Sequence, residues 1–122
     1  MNLYEDITYK VIGAAMNVHK TLGCGFPKKA YQQALAIELQ ESGVAFETEK
    51  AFTLYYHDRE LSDKYVADFL VEGKVIVVLE AENTIEDECK EQVINTLRVS
   101  KLKVGLLLNF GEEHLVYKRL TL

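Results

Sequence analysis

Tyr65-Val66-Ala67-Asp68-Phe69-Leu70-Val71, then Glu72-Gly73-Lys74, then Val75-Ile76-Val77-Val78-Leu79-Glu80, is two apolar runs joined by a short polar turn. Each run has the length of a strand and is apolar on both faces for most of its course, as central strands covered by other layers require. A glycine between two charged residues suits the tight reversal. The stretch predicts two adjoining strands that hold the core, with Asp68 inside the first and Glu80 closing the second.

Working outward, Ala45 to Tyr56 is rich in β-branched and aromatic residues, and His57-Asp58-Arg59-Glu60 reads as a hairpin loop into a strand over Leu61–Val71. Upstream, Ile7, Val11, Ala14, Ala15, Val18 and Leu22 recur at three- and four-residue steps, the stripe of an amphipathic helix. Gly23-Cys24-Gly25-Phe26-Pro27 breaks that helix, and a second runs from Pro27 or Lys28 to about Glu41, with Tyr31, Ala34, Leu35 and Leu39 on its apolar face. Downstream, Ile85–Lys101 carries Val93, Ile94 and Leu97 at helical spacing. Strand Lys103–Asn109, a turn at Phe110–Glu113 and strand His114–Leu120 complete the chain. The predicted order is α-α-β-β-β-α-β-β, an α/β fold with a mixed sheet flanked by helices, read as a single domain over residues 1–122.

A chain of 122 residues suits one core, and 48% hydrophobic with 27% charged residues is a globular balance. The apolar runs fall far short of the roughly 20 residues a membrane helix needs. The start, Met1-Asn2-Leu3-Tyr4-Glu5-Asp6, lacks a basic and apolar leader, so a cytoplasmic location is expected. Cys24 and Cys89 fit no zinc or CxxC spacing. A net charge of −5 disfavours nucleic acid, whose capture rests on clustered Lys and Arg. Tyr31, Tyr55, Tyr56 and Tyr65 are accordingly read as core or core-edge residues rather than base-stacking platforms.

Several stretches carry a family resemblance: Ile12-Gly13-Ala14-Ala15 through Val18-His19, Leu22-Gly23-Cys24-Gly25, Tyr31-Gln32-Gln33-Ala34-Leu35, Tyr65-Val66-Ala67-Asp68, Gln92-Val93-Ile94-Asn95 and Leu107-Leu108-Asn109-Phe110-Gly111. With the element order they resemble the small GxxExxY branch of the PD-(D/E)XK nuclease superfamily, nearly from end to end. The resemblance implies a restriction-endonuclease-like fold. It also implies a metal and general-base site made by an aspartate on the second strand and a glutamate-x-lysine on the third.

Asp68 fits the first of those positions, but the third-strand frame reads Val78-Leu79-Glu80 and the helix frame reads Gly25-x-x-Lys28-x-x-Tyr31, with lysine in the glutamate's place. Valine ligates nothing, and Glu80 repels the phosphate that a lysine there would attract. One reading is an exchanged charge pair, Lys28 with Glu80, in a catalytically inactive protein kept as a structural, regulatory or protein-binding module, with no cofactor. Its partner is then an unidentified protein or a second copy of the chain.

The alternative is a divalent-metal-dependent nuclease with a relocated site. Asp68, Glu80 and Glu82 would hold Mg²⁺ or Mn²⁺, Lys28 would stabilise charge, and Gln92, which matches a helix glutamine of the family, would assist. Against it, Glu80, Glu82, Glu86, Asp87, Glu88 and Glu91 accompany only Lys90 along the stretch that should border the cleft. His19 also matches the family, and a structural hydrogen bond is expected of it.

Overall fold

The computed structural model describes residues 3–122. Helix α1 (Glu5–Leu22) buries Val11, Ala14, Ala15 and Val18, and α2 (Lys28–Glu41) buries Tyr31, Leu35 and Leu39, the stripes that three- and four-residue spacing dictates. Strands β1 (Phe46–Tyr56), β2 (Arg59–Val71) and β3 (Val75–Glu80) form a meander. Helix α3 (Asp87–Ser100) then leads to β4 (Val104–Asn109) and β5 (Val116–Thr121). The sheet order is β1-β2-β3-β4-β5, antiparallel throughout except where β4 runs parallel to β3. A parallel neighbour needs a crossover, and α3 supplies it.

Because side chains alternate along a strand, the central strands divide their residues between two cores. Val75, Val77 and Leu79 of β3, with Val104, Leu106 and Leu108 of β4, pack under α1 and α2. Ile76, Val78 and Leu107 face Val93 and Leu97 of α3. Gly105 sits where α3 comes closest to β4, for a Cβ there would lie 2.8 Å from the Val93 Cγ1 methyl. Every residue of β4 is buried, as its apolar run anticipated. No helix among the described residues is long and apolar enough to cross a membrane.

Three features differ from the sequence reading. The hairpin turn is only His57-Asp58, both with positive φ (48° and 61°), the two-residue geometry whose twist matches the flanking strands. Burial on β2 begins at Ala67 rather than Tyr65, because β2 pairs with β3 only through Phe69–Val71; the rest of β2 extends with β1 as a two-stranded arm. Tyr55 and Tyr56, near the tip of that arm, are therefore exposed and not core.

The linker between α1 and α2 is stapled from beneath. Tyr31 is fully buried, stacks on Phe110 with ring centroids 4.7 Å apart, donates its hydroxyl to the Gly23 carbonyl at 2.6 Å, and accepts the Phe26 N–H at 3.2 Å. Tyr31→Phe keeps the ring and strands both backbone groups. The expected loss is about 1–2 kcal/mol in chemical denaturation with an unchanged m-value.

Candidate functional site

Pairing between β1 and β2 runs from Thr48↔Phe69 to Lys50↔Ala67 and skips the facing pair Glu49 and Asp68. Glu49 has a φ of 51°, a left-handed conformation uncommon for a residue with a side chain. Ala67 packs on the α3 side of the sheet and Phe69 on the other, although a regular strand would point both the same way. The sheet is thus irregular at Asp68, and the β2–β3 ladder ends one residue away at Phe69↔Val77.

The carboxylate of Asp68 fills that opening. Its Oδ2 accepts the Leu79 backbone N–H at 2.7 Å, and its Oδ1 accepts the Gln32 side-chain amide at 2.8 Å. Lys28 Nζ lies 3.1 Å from Oδ2. Lys28 and Gln32 are one helical turn apart on α2, so a single helix face delivers both. A carboxylate offers about four lone-pair sites, and three donors already converge here. The Asp68 side chain is only 10% exposed while that of Lys28 is 42% exposed, so the ammonium caps a buried carboxylate from the solvent side.

The exchanged pair inferred from the sequence is corrected by this geometry: Lys28 meets Asp68, not Glu80. Glu80 ends β3 and, with Glu82, lines a hollow of about 500 Å³ that also takes in Glu86, Glu88 and Cys89. Burial and the neighbouring Glu80 carboxylate push the Cys89 thiol above its ordinary range, keeping it protonated at neutral pH. Asp68 lines a separate hollow of about 200 Å³ with Gln32, Gln33, Thr48 and Glu49. Gln92 is exposed on α3 and lines neither; its backbone carbonyl accepts the Thr96 hydroxyl at 2.8 Å.

The segment after β3 is clamped by a residue with a full set of partners. Buried Asn109 donates to the Glu82 carbonyl (2.9 Å) and to Glu112 Oε2 (2.9 Å), and accepts from the Glu82 N–H (3.0 Å) and the Gly111 N–H (3.1 Å). His19 Nε2 donates to the Glu112 carbonyl at 2.8 Å, and its ring stacks on Phe110. His19 thus makes the structural hydrogen bond the sequence suggested. Asn109 and Gln32 had no role assigned from sequence: nothing local marks Asn109 as a buried amide, and only the four-residue spacing from Lys28 pointed to Gln32.

A Mg²⁺ site needs several hard oxygens around one point. Asp68 already carries an ammonium and two further donors, the Val78 side chain offers no oxygen, and Glu80 and Glu82 line a different hollow. Among the described residues no group of three or more His, Cys, Asp or Glu is placed to hold a metal ion. The residues present do not fit the divalent ion that a nuclease centre of this kind would use.

An antiparallel meander, a crossover helix and a returning parallel strand, with an aspartate at the point where the meander opens, define a nuclease-type α/β domain. Residues 5–120 match a family model described as the PD-(D/E)XK nuclease superfamily, and the chain belongs to that superfamily. No curated protein matches the chain. Among solved structures, the crystal structure of SSO0001 is similar, with a TM-score of 0.62 and 14% identity over 77% of this chain. The likeness spans 50% of that protein, and at this identity it is one of fold.

Proposed function

We propose that this chain is a GxxExxY-type member of the superfamily with a degenerate, metal-independent centre, acting by binding rather than by hydrolysis as a structural, regulatory or protein-binding module. The observation that carries this reading is the Lys28 ammonium 3.1 Å from Asp68. It supplies the positive charge that a divalent ion would otherwise bring to that carboxylate, and a cation arriving there must displace it against Coulomb repulsion. Valine at position 78 removes the second carboxylate that would favour the exchange.

A protein partner or a second copy of the chain is favoured by the β1–β2 arm. Its β2 edge from Arg59 to Ala67 has no ladder to β3, and the arm exposes Tyr55 and Tyr56 on β1 and Leu61 on β2. Unpaired edges with exposed apolar side chains are templates for association. The test is a cleavage assay on single- and double-stranded DNA and RNA with Mg²⁺ or Mn²⁺, comparing the protein with Asp68→Ala. The expected outcome is no cleavage that the substitution abolishes. Metal-dependent cutting lost in Asp68→Ala would replace this reading with the relocated nuclease centre.

A further inference from the structure

We propose that a cleft at the corner between α3, β4 and β5 binds a small amphipathic anion, with a carboxylate or phosphate head on an apolar body. The proposal stands independently of whether the Asp68 region is catalytic, because it uses none of those residues. The cleft is about 810 Å³, within the range of small-molecule sites, against about 200 Å³ beside Asp68. It opens at the start of β4, near Val104, whereas Leu79, which binds Asp68, pairs with Leu108 roughly 13 Å further along the strand.

Charge is what sets the cleft apart. Arg98, Lys101, Lys103 and Arg119 line it with no Asp or Glu, set against the α-carboxylate that Leu122 brings, in a chain whose net charge is −5. The ion pairs among the described residues use other lysines: Lys28, Lys50, Lys64 and Lys90. Arg98 and Lys101 lie at the C-terminal end of α3, where the helix dipole alone would favour cations. Lys103, in the connection before β4, and Arg119, on β5, have no such reason to converge there.

Arg119 supplies the second observation. Its Nη2 donates to the Leu3 carbonyl, which anchors the guanidinium, while its Nε is buried with no hydrogen-bond partner among the described residues. Buried N–H donors are rarely left without an acceptor, so among the described residues the guanidinium beside the cleft is only partly satisfied. A guanidinium fork matches carboxylate and phosphate oxygens. Leu3, Leu102, Val104 and Leu122 supply the apolar part of the lining, which gives the ligand's body a place to lie.

The experiment is calorimetric titration of the whole chain at low ionic strength with octanoate, octyl phosphate, inorganic phosphate and neutral 1-octanol. The parent protein is compared with Arg119→Gln and with a Lys101→Gln, Lys103→Gln double variant. Arg119 also holds Leu3, so the double variant, which alters exposed side chains only, keeps the test decisive if Arg119→Gln folds poorly. Expected is saturable binding of octanoate or octyl phosphate, the tighter of the two identifying the head group. 1-Octanol and inorganic phosphate should bind at least about tenfold more weakly, and both variants should lose about tenfold. No binding of either amphiphile, equal binding of 1-octanol, or undiminished binding by the double variant would overturn the proposal. So would displacement of the amphiphile by a single-stranded oligonucleotide, which would point to backbone phosphates instead.

Discussion

Gly111→Ala should lower stability by more than about 3 kcal/mol, a fall in Tm on the order of 10 °C for a domain of this size. A Cβ at position 111 would lie 2.3 Å from the Glu82 carbonyl oxygen, 2.4 Å from its nitrogen and 2.6 Å from the Ala81 carbonyl carbon. These are backbone atoms, so no rotamer change relieves the contact. The loop after β4 would have to lift off the segment after β3. That movement breaks the Asn109 bonds to Glu82 and the bond from the Phe110 N–H to the Glu80 carbonyl at 2.9 Å. Thermal and denaturant unfolding measure the loss, and a change below about 1 kcal/mol would show that the two segments are not held together as described.

Asp68→Ala is expected to cost about 3 kcal/mol, because truncation leaves the Leu79 N–H with no acceptor in a fully buried stretch of β3 and removes the partner of Gln32. Asp68→Asn retains one oxygen acceptor but turns an amide toward Lys28, so an intermediate loss of about 1–2 kcal/mol should follow. Lys28→Ala should cost less than about 1 kcal/mol, since its side chain is 42% exposed and solvent screens the pair. The ranking, more than the sizes, is diagnostic. It says that Asp68 closes a gap in the sheet while Lys28 balances its charge. Equal losses for Asp68→Ala and Lys28→Ala would contradict that division of roles.

The fold was legible because its signals are periodic. The two runs over residues 65–80 and the stripes ending at Leu22 and Leu39 report alternation and helical spacing directly, and the element order follows. What periodicity cannot report is a local departure from it. The reversal of side-chain direction across Asp68, the left-handed Glu49 opposite and the early end of the β2–β3 ladder arise from how strands meet, not from any one strand's pattern.

The partner of Lys28 illustrates the same limit. Reading Glu80 as its mate required only that two charges had changed places. The outcome depended on where α2 lies over the sheet, and it lies over the opening that Asp68 fills. Asp68 was singled out by resemblance, and the structure places its carboxylate between Gln32, Lys28 and the Leu79 N–H. Gln32 was missed, although its position four residues after Lys28 places it on the same helix face. Asn109 was missed because a buried amide with every bond satisfied looks, in sequence, like any polar residue at a strand end.

The charge balance at Asp68 is tested most directly by titrating Mn²⁺ into the protein and into Asp68→Ala while following thermal unfolding. With an ammonium already seated on that carboxylate, millimolar Mn²⁺ should shift the midpoint of both proteins equally or not at all. A stabilisation of the parent protein that grows with Mn²⁺ and vanishes in Asp68→Ala would mean that a metal ion, not Lys28, is the natural counter-charge.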